Sequence, residues 1–304
     1  MATRFGIAIP QSYPDAPVDP AALAEHLRAA EALGYHSAWV GEEILKAPML
    51  DPIGLLEFAA AHTERMLLGT AVLVTTLRSP LHLAKALVTL DHLSQGRLIV
   101  GVGLGQSTRS YPAFGVPTEH RVRRYLEGIA VMRKLWTEES LTFQGEYWKF
   151  QGERMEPKPI QKPHPPIWFS GRHVNALGRA ARLADGWIGG KIVLDEFRGH
   201  VVTLRRLLAE AKRDSDSFGI AKRVIFAVDS DRARIEKRLM AWFGAAYGNP
   251  EEAKTAAIYG GEAECADKIG QIVAAGAKTL IMDPVLDPRE QMEALAKGVL
   301  PALR

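Results

Sequence analysis

The stretch from Gly69 to Gly105 constrains the fold of this chain more than any other, because an apolar strand, an amphipathic helix and a second apolar strand follow one another in it. The residues from Leu67 to Val74 are apolar and rich in β-branched side chains, which is typical of a strand buried on both faces. Ser79-Pro80 then starts a helix, with serine expected as its cap and proline in its first turn. Another buried strand follows over Leu98 to Gly101. The pattern predicts a βαβ unit whose two strands are parallel neighbours.

Strands of this kind recur along the whole chain, with helical segments between them. The strand candidates are 5–10, 37–40, 67–74, 98–101, 167–170, 186–188, 224–228 and 279–282. Repeated βα units with eight parallel strands close into a barrel. We therefore predict the α/β class and a (β/α)8 TIM barrel, with residues 1–304 as a single domain.

Two connections are longer than a helix requires. The segment 106–166 contains a predicted helix over 121–135 and a predicted hairpin that carries Phe143, Tyr147, Trp148 and Phe150. The segment 229–261 contains predicted helices near 240–243 and over 251–257. Insertions at the C-terminal face of a barrel often cover substrate, so we place both there. The alternative is that their aromatic residues only cover core surface.

Composition limits the classes of protein to which the chain can belong. The share of hydrophobic residues is 47% and that of charged residues 24%, which is typical of a globular protein. No apolar run approaches the ~20 residues of a membrane span, and the N-terminus reads as a strand rather than a secretory signal. A net charge of +3 gives no argument for nucleic acid. We expect a cytoplasmic protein with a small-molecule substrate and with neither nucleic acid nor membrane as a partner.

Catalytic groups of a barrel lie at the C-terminal ends of its strands. The candidates at these positions are Gln11, Tyr13, Glu42, Glu43, 72–75, 103–106, 170–173, 189–191, Asp229 and Asp283. Gly101 to Gly105 is a glycine-rich strand end where backbone amides could approach a ligand, although glycine there also suits a tight turn. It does not open a long helix, so it is not a dinucleotide fingerprint.

The segment Ser170-Gly171-Arg172-His173 ends the fifth predicted strand and starts a helix. Free N–H groups at a helix N-terminus attract anions, and Arg172 adds a planar donor fork that suits phosphate. The alternative is a helix cap beside a solvated arginine. We predict a phosphate-binding loop here.

The pair Glu42-Glu43 follows the second predicted strand. Adjacent carboxylates could perform acid/base chemistry if one of them is desolvated; a structural ion pair or a polar wall is the alternative. Lys191 could form a Schiff base of the aldolase kind, but a solvated lysine is the simpler interpretation. The histidines have no metal-ligand spacing and Cys265 is the only cysteine, so we predict no metal site. His82 and His92 are expected to pack against the core.

A series of short motifs in fixed order resembles the luciferase-like monooxygenase superfamily of flavin- and deazaflavin-dependent oxidoreductases. The motifs are Gly69-Thr70-Ala71-Val72, Ser79-Pro80, Leu83-Ala84-Lys85, Thr89-Leu90-Asp91, Leu93-Ser94, Gly96-Arg97, Gly101-Val102-Gly103, Leu135-Trp136, 143–147, Pro157-Lys158-Pro159, Pro165-Pro166-Ile167 and Ala184-Asp185-Gly186-Trp187. They cover most of the chain, and together they are far more specific than any one alone.

The resemblance implies a bound flavin-like cofactor and a set of residues around it. The residues implied for the cofactor are Glu42, Ala71, Val72, Leu104, Gly105, Arg109, Ser170, Gly171, Arg172 and His173. It also implies a cis peptide between Ala71 and Val72, and it makes Glu43 and Gln106 the catalytic candidates. Many relatives carry histidine where Glu43 stands, and the sugar-phosphate dehydrogenase branch carries glutamate where Gln106 stands. Those two departures argue against that branch's sugar oxidation.

The linked motifs 83–85, 93–97 and 157–161 look most like the branch that uses the deazaflavin coenzyme F420. The expected function is hydride transfer between coenzyme F420 and a small organic substrate. The alternative is a two-component monooxygenase that uses FMN, reduced by a separate reductase. A non-catalytic flavin-binding protein fits less well, because all eight strand candidates and both insertions are retained. The resemblance also implies a homodimer.

Overall fold

The protein is described here from a computed structural model, which covers residues 3–13, 17–45, 48–105 and 108–303. The strands are β1 (Arg4–Ala8), β2 (Ser37–Val40), β3 (Leu67–Thr70), β4 (Leu73–Val74), β5 (Leu98–Gly103), β6 (Leu141–Gln144), β7 (Lys149–Glu153), β8 (Ile167–Ser170), β9 (Gly186–Gly189), β10 (Gly219–Val228), β11 (Ala257–Gly260) and β12 (Thr279–Asp283). The helices are α1 (Pro20–Ala32), α2 (Pro52–His62), α3 (Pro80–Leu93), α4 (Arg121–Thr137), α5 (Val174–Leu183), α6 (Leu194–Glu210), α7 (Arg232–Tyr247), α8 (Ala253–Ala256), α9 (Glu262–Ala274) and α10 (Pro288–Ala294).

The parallel strands close into a barrel. Neighbours in the sheet follow the order β1, β2, β3, β5, β8, β9, β10 and β12, and β12 pairs with β1 again. β4 continues the line of β3 by pairing with the upper half of β5, so β3 and β4 share one barrel position. Eight positions result, and the predicted (β/α)8 TIM barrel is confirmed.

Three elements differ from the sequence-based prediction by more than a residue or two at an end. The strand predicted over 67–74 is broken at Ala71 and Val72, whose peptide bond is cis as the resemblance implied. β10 begins at Gly219 rather than Val224, since Lys222 and Arg223 interrupt an otherwise apolar pattern without ending the strand. The helix predicted over 251–257 is wrong at its end. Helix α8 stops at Ala256, and β11 follows as an additional strand paired with the last four residues of β10.

Two tryptophans fill the interior of the barrel below the C-terminal ends of its strands. Trp39 on β2 and Trp168 on β8 lie with ring centroids 5.7 Å apart. The strands that face these rings carry glycine there: a Cβ on Gly69 would come within 3.0 Å of Trp39, and a Cβ on Gly186 within 3.0 Å of Trp168. Protein interiors are close-packed, so small residues must compensate for two such large rings. This part of the barrel is therefore a solid core, and a ligand inside the barrel would lie above it.

The helical shell departs from the prediction at α3. Pro80 is its first residue and Ser79 its N-cap, but the Ser79 side chain makes no capping hydrogen bond. Leu83, Leu87 and Val88 are buried, while His82 and His92 are exposed, so the expected packing of these two histidines is wrong. No helix of the described residues is long and apolar enough to cross a bilayer.

The predicted aromatic hairpin is present as β6 and β7, which pair antiparallel. Its turn is held from α4 by Glu127, whose carboxylate accepts hydrogen bonds from the N–H groups of Glu146, Tyr147 and Trp148 at 2.6 to 3.0 Å. The Arg124 guanidinium lies 4.7 Å from the Trp148 ring centroid. These contacts attach the insertion firmly to α4.

Candidate active site

The C-terminal ends of the barrel strands surround a set of small residues that we call the small-residue floor. Its members are Gly41, Ala71, Gly103, Ser170 and Gly190. Side chains alternate along a strand, so residues two positions beyond Trp39 and Trp168 also face the interior. A Cβ on Gly41 would meet its nearest atom only at 3.8 Å, and a Cβ on Gly190 would meet nothing within 4 Å. Open space therefore lies above this floor.

The break between β3 and β4 is held by a buried carboxylate. Glu42, whose side chain is 1% exposed, accepts a hydrogen bond of 2.5 Å from the Val74 N–H through Oε2. Its other oxygen bonds to the Arg78 guanidinium. Arg78 also binds Asp51 at 2.6 Å, and Asp51 accepts hydrogen bonds from the first turn of α2. Glu42 thus ties the β2–α2 connection to the β4–α3 connection.

Ion pairing favours the charged forms of Arg78 and Asp51. Burial alone would lower the pKa of Arg78, but Glu42 and Asp51 outweigh burial and raise it. Burial likewise opposes the charge of Asp51, and hydrogen bonds from Arg78 lower its pKa overall. Both oxygens of Glu42 are already engaged. Any contribution of Glu42 to cofactor binding would therefore come from its hold on the Val74 backbone.

Of the two predicted catalytic residues, the structure describes only Glu43. Glu43 is half-buried beside the floor and forms no ion pair with any described residue. Its neighbour Glu42 carries the structural ion pair that was one alternative for this dipeptide. Gln106 lies outside the described residues.

The loop between β8 and α5 is shaped by one glycine. Gly171 has φ of +135°, a conformation that side-chain-bearing residues rarely adopt, and its carbonyl accepts a hydrogen bond of 2.8 Å from Trp187 Nε1. His173 caps α5 by accepting from the Asn175 N–H. The amides of Gly171, Arg172 and Val174 donate to no other described residue. Arg172 and His173 are exposed, so free donors and a guanidinium stand at one helix N-terminus, as a phosphate site requires.

The end of β5 is fixed by a tyrosine. Tyr111 is fully buried, donates to the Leu104 carbonyl at 2.8 Å, and lies 2.9 Å from the Thr76 hydroxyl. Gly105 follows with φ of +74°. Arg109 is exposed in the turn beyond it. The residues implied for the cofactor thus gather on β2, the β3–β4 break, β5 and β8, around the small-residue floor.

An ion pair on the opposite side of the barrel joins Asp283, one of the predicted strand-end candidates, to Arg223, which was not predicted as a site. Arg223 on β10 donates from Nε to Asp283 Oδ2 on β12 at 2.6 Å, and its Nη2 bonds to the same oxygen. Burial opposes the charge of Arg223, but Asp283 outweighs it and raises the pKa of Arg223, with help from the Tyr247 hydroxyl. The sequence carried the signal: a strand begun at Gly219 would have placed Arg223 on the interior face with Ala221.

Lys191 lies beside this pair, and the Glu252 carboxylate balances its positive charge. Its Nζ is 2.5 Å from Glu252 and 3.7 Å from the Tyr247 ring centroid. Only 15% of the side chain is exposed. This environment keeps the charge of the ammonium group satisfied, which agrees with a structural lysine rather than a Schiff-base lysine.

Comparison with known proteins decides the family. Residues 3–279 match the luciferase-like monooxygenase family. The chain belongs to that family. The match covers every barrel strand up to the first residue of β12, and it confirms the resemblance seen in the sequence.

Among relatives of this luciferase-like chain is an uncharacterized protein of Mycobacterium tuberculosis, 43% identical over 145 residues, or 46% of this chain and 49% of the relative. An F420-dependent glucose-6-phosphate dehydrogenase of Kineococcus radiotolerans is 34% identical over 178 residues, covering 56% of this chain and 52% of the relative. The matches therefore span about half the length of these relatives.

Solved structures share the luciferase-like fold at low identity. An F420-dependent secondary alcohol dehydrogenase in complex with an F420-acetone adduct superposes with a TM-score of 0.87 at 20% identity, over 100% of both chains. The oxygenating constituent of 3,6-diketocamphane monooxygenase from Pseudomonas putida, in complex with FMN, has a TM-score of 0.80 at 18% identity over 99% of this chain and 98% of that one. At these identities the likeness establishes the barrel alone.

Proposed function

We propose that this luciferase-like protein is an oxidoreductase that transfers a hydride between coenzyme F420 and a small organic substrate. The observation that carries the proposal is the sequence match to F420-dependent glucose-6-phosphate dehydrogenases. It includes a Nakamurella multipartita enzyme that is 29% identical over 239 residues, covering 73% of this chain and 68% of the relative. Which substrate is used does not follow from that match, because Glu43 and Gln106 depart from the sugar-phosphate branch.

The residues around the floor fit such a cofactor. A planar ring needs a flat surface without side chains, and the open space above Gly41 and Gly190 offers one. A phosphate group needs donors, and the free amides at the start of α5, with Arg172, supply them. When bound, coenzyme F420 would supply two-electron hydride chemistry that reacts poorly with oxygen.

The chain's own residues would orient substrate and control protons. Glu43 stands beside the floor, where its carboxylate could accept or hold the proton of a substrate hydroxyl. Gln106 would orient the substrate, as the resemblance implies. Val72 and Ala71, at the break in the β3–β4 line, would support one face of the ring. Glu42 would act as a positioning residue through the Val74 N–H.

A reduced-FMN monooxygenase is the second candidate, favoured by the shared fold with an FMN-containing monooxygenase. Binding under anaerobic conditions separates the two. We expect the purified protein to bind F420 more tightly than FMN, and to oxidise or reduce an organic substrate without consuming oxygen. Activity that requires both reduced FMN and oxygen would move the assignment to the monooxygenase.

Two variants refine the test. Glu43→Gln and Gln106→Ala should each lower turnover more than F420 affinity, because both residues are proposed to act on substrate. An equal loss of affinity and turnover would instead assign them to cofactor binding. The homodimer implied by the resemblance stays a prediction, and light scattering on the purified protein tests it.

A further inference from the structure

The Arg223–Asp283 pair lies inside the barrel rather than in its shell. Ala221 and Ile281 belong to the interior cluster, and Arg223 and Asp283 stand two residues further along the same strands. Alternation therefore points both side chains inward, at the level of the small-residue floor. The two side chains are 29% and 12% exposed, so they are accessible from the mouth of the barrel, by which we mean the C-terminal end of its strands.

Packing alone does not explain this pair. The interior cluster beneath it is apolar, formed by Trp39, Ile99, Ile188, Ala221 and Ile281. Two charges taken out of water lose hydration, and an apolar pair of similar volume often stabilises a protein as well or better. A charged pair at the top of an apolar barrel is therefore better explained by something that it binds.

The pair faces the proposed cofactor site across the mouth. Residues proposed to hold the cofactor follow β2, the β3–β4 break, β5 and β8, whereas Arg223 and Asp283 lie on β10 and β12, on the remaining side of the closed barrel. A substrate placed between the ring and this wall would contact the pair. Tyr247, at the end of α7, contributes to the raised pKa of Arg223 and lies against Lys191 on the same side of the barrel.

The positive charges on this side of the barrel are balanced by carboxylates. Nε and Nη2 of Arg223 both bond to Asp283 Oδ2, and Oδ1 receives no hydrogen bond from the described residues. Lys191, which contacts the Tyr247 ring, is neutralised by Glu252. An anionic substrate would have to compete with Asp283 for the guanidinium. An uncharged hydroxyl compound could instead accept from Arg223 and donate to Oδ1, and an uncharged carbonyl compound could accept from Arg223 without displacing Asp283.

We propose that Arg223 and Asp283 form a substrate-anchoring pair that selects uncharged hydroxyl or carbonyl compounds over anionic ones. The inference rests on the proposed function, because it places the substrate between this pair and the cofactor. It assigns Asp283 a specificity role: its carboxylate removes the positive charge that an anionic substrate would seek.

The test uses the F420-loaded protein and matched probes. Propan-2-ol and lactate differ by one carboxylate in place of a methyl group, and glucose and glucose 6-phosphate differ by one phosphate. The wild-type protein should bind the neutral member of each pair in preference to its anionic partner. Asp283→Asn leaves the Arg223 charge unbalanced and should shift the ratio of dissociation constants towards the anionic member by about tenfold. Glu210→Gln is the matched control, because it makes the same charge change in an exposed pair on α6.

The measured probe affinities decide whether the pair anchors substrate. A wild-type preference for the anionic member, no binding of either neutral probe, or an unchanged ratio in Asp283→Asn would overturn the proposal. If Asp283→Asn fails to fold by circular dichroism, Arg223→Gln combined with Asp283→Asn keeps the site uncharged and should retain the neutral preference with weaker binding.

F420 affinity is measured first by fluorescence titration. Its absence would reject the proposed function, whereas normal F420 affinity with an unchanged probe ratio would reject only the anchoring pair.

Discussion

The two ends of the barrel use charged side chains in opposite ways. At the N-terminal end of the strands, charged groups bond to backbone. Arg97 donates to the carbonyls of Ala60, Thr63, Met66 and Ser94, and Lys278 to those of Ser215, Asp216 and Phe218. At the C-terminal end, charged groups mainly bond to each other, as in Glu42–Arg78, Arg223–Asp283 and Lys191–Glu252.

This difference separates stability from ligand binding. A side chain that satisfies several backbone carbonyls fixes loops and helix ends, and its loss leaves those groups unpaired. Charged pairs that satisfy each other leave backbone amides and small residues at the mouth available to a ligand. We therefore expect substitutions of the charged groups at the N-terminal end to change the free energy of unfolding most, and substitutions of the groups around the small-residue floor to change affinity.

The largest expected effect is at Arg97. Arg97→Ala removes donors to four carbonyls and to the Thr63 hydroxyl, so the free energy of unfolding should fall by about 3 kcal/mol or more in urea titrations. Cofactor affinity of the protein that remains folded should not change. The control is Arg65→Ala, an exposed arginine of the same end, which should cost at most about 0.5 kcal/mol. Equal losses in the two variants would contradict the proposed role of Arg97.

Acid should weaken the shell through His26. Burial, with a smaller effect from Arg289, lowers the pKa of His26 to about 4. The unfolded chain then binds a proton between pH 6.5 and about 4 that the folded protein does not, so stability falls as pH falls through that window, by about 3 kcal/mol in all. His26→Leu should reduce this loss in urea unfolding at pH 7 and pH 4.5.

The control for His26 is His82→Gln, at an exposed histidine that leaves His26 in place. It should show the same acid-dependent loss as the wild type. If His26→Leu keeps the full loss, other groups account for the acid sensitivity.

The contrast between the two ends also explains what sequence could predict. Arg97 and Gln161 belong to the motifs that resembled the F420 branch, and Asp91 to those that resembled the superfamily. All three lie in the scaffold: Asp91 accepts hydrogen bonds from Ile160 N–H and from Gln161 N–H and Nε2, and Gln161 donates to the Leu98 carbonyl. Such motifs identify the family because they specify the fold. They do not touch the mouth, so they cannot by themselves distinguish F420 from FMN.

The parts that sequence missed depend on contacts between distant segments. Glu42 and Glu43 are chemically identical neighbours, and only the position of the Val74 N–H decides which one is engaged. The boundary between α8 and β11 falls between two alanines that suit a helix, Ala256 and Ala257, and the strand conformation of β11 comes from pairing with β10. Arg223 looked like a strand boundary because a charge inside a barrel is disfavoured until Asp283 is brought beside it.

At the mouth, Arg172→Ala should weaken cofactor binding and leave stability unchanged. A charge-assisted hydrogen bond to phosphate contributes about 1.5 to 3 kcal/mol, which corresponds to about a tenfold to hundredfold change in the dissociation constant for F420. Arg182→Ala, in the last turn of the same helix, is the control and should bind as the wild type does. An unchanged dissociation constant in Arg172→Ala would leave the loop amides as the only phosphate donors.

The smallest effect compares two helix caps at the mouth. Asp19 caps α1 by accepting hydrogen bonds from the N–H groups of Ala21 and Ala22 at 2.9 and 3.2 Å, so Asp19→Ala should cost about 1 kcal/mol. Ser79 occupies the same position before α3 without any such bond, so Ser79→Ala should change the free energy of unfolding by only a few tenths of a kcal/mol. Urea unfolding of the two variants at pH 7 measures both. A loss at Ser79 as large as that at Asp19 would mean that its hydroxyl caps α3 in solution, as the sequence alone predicts.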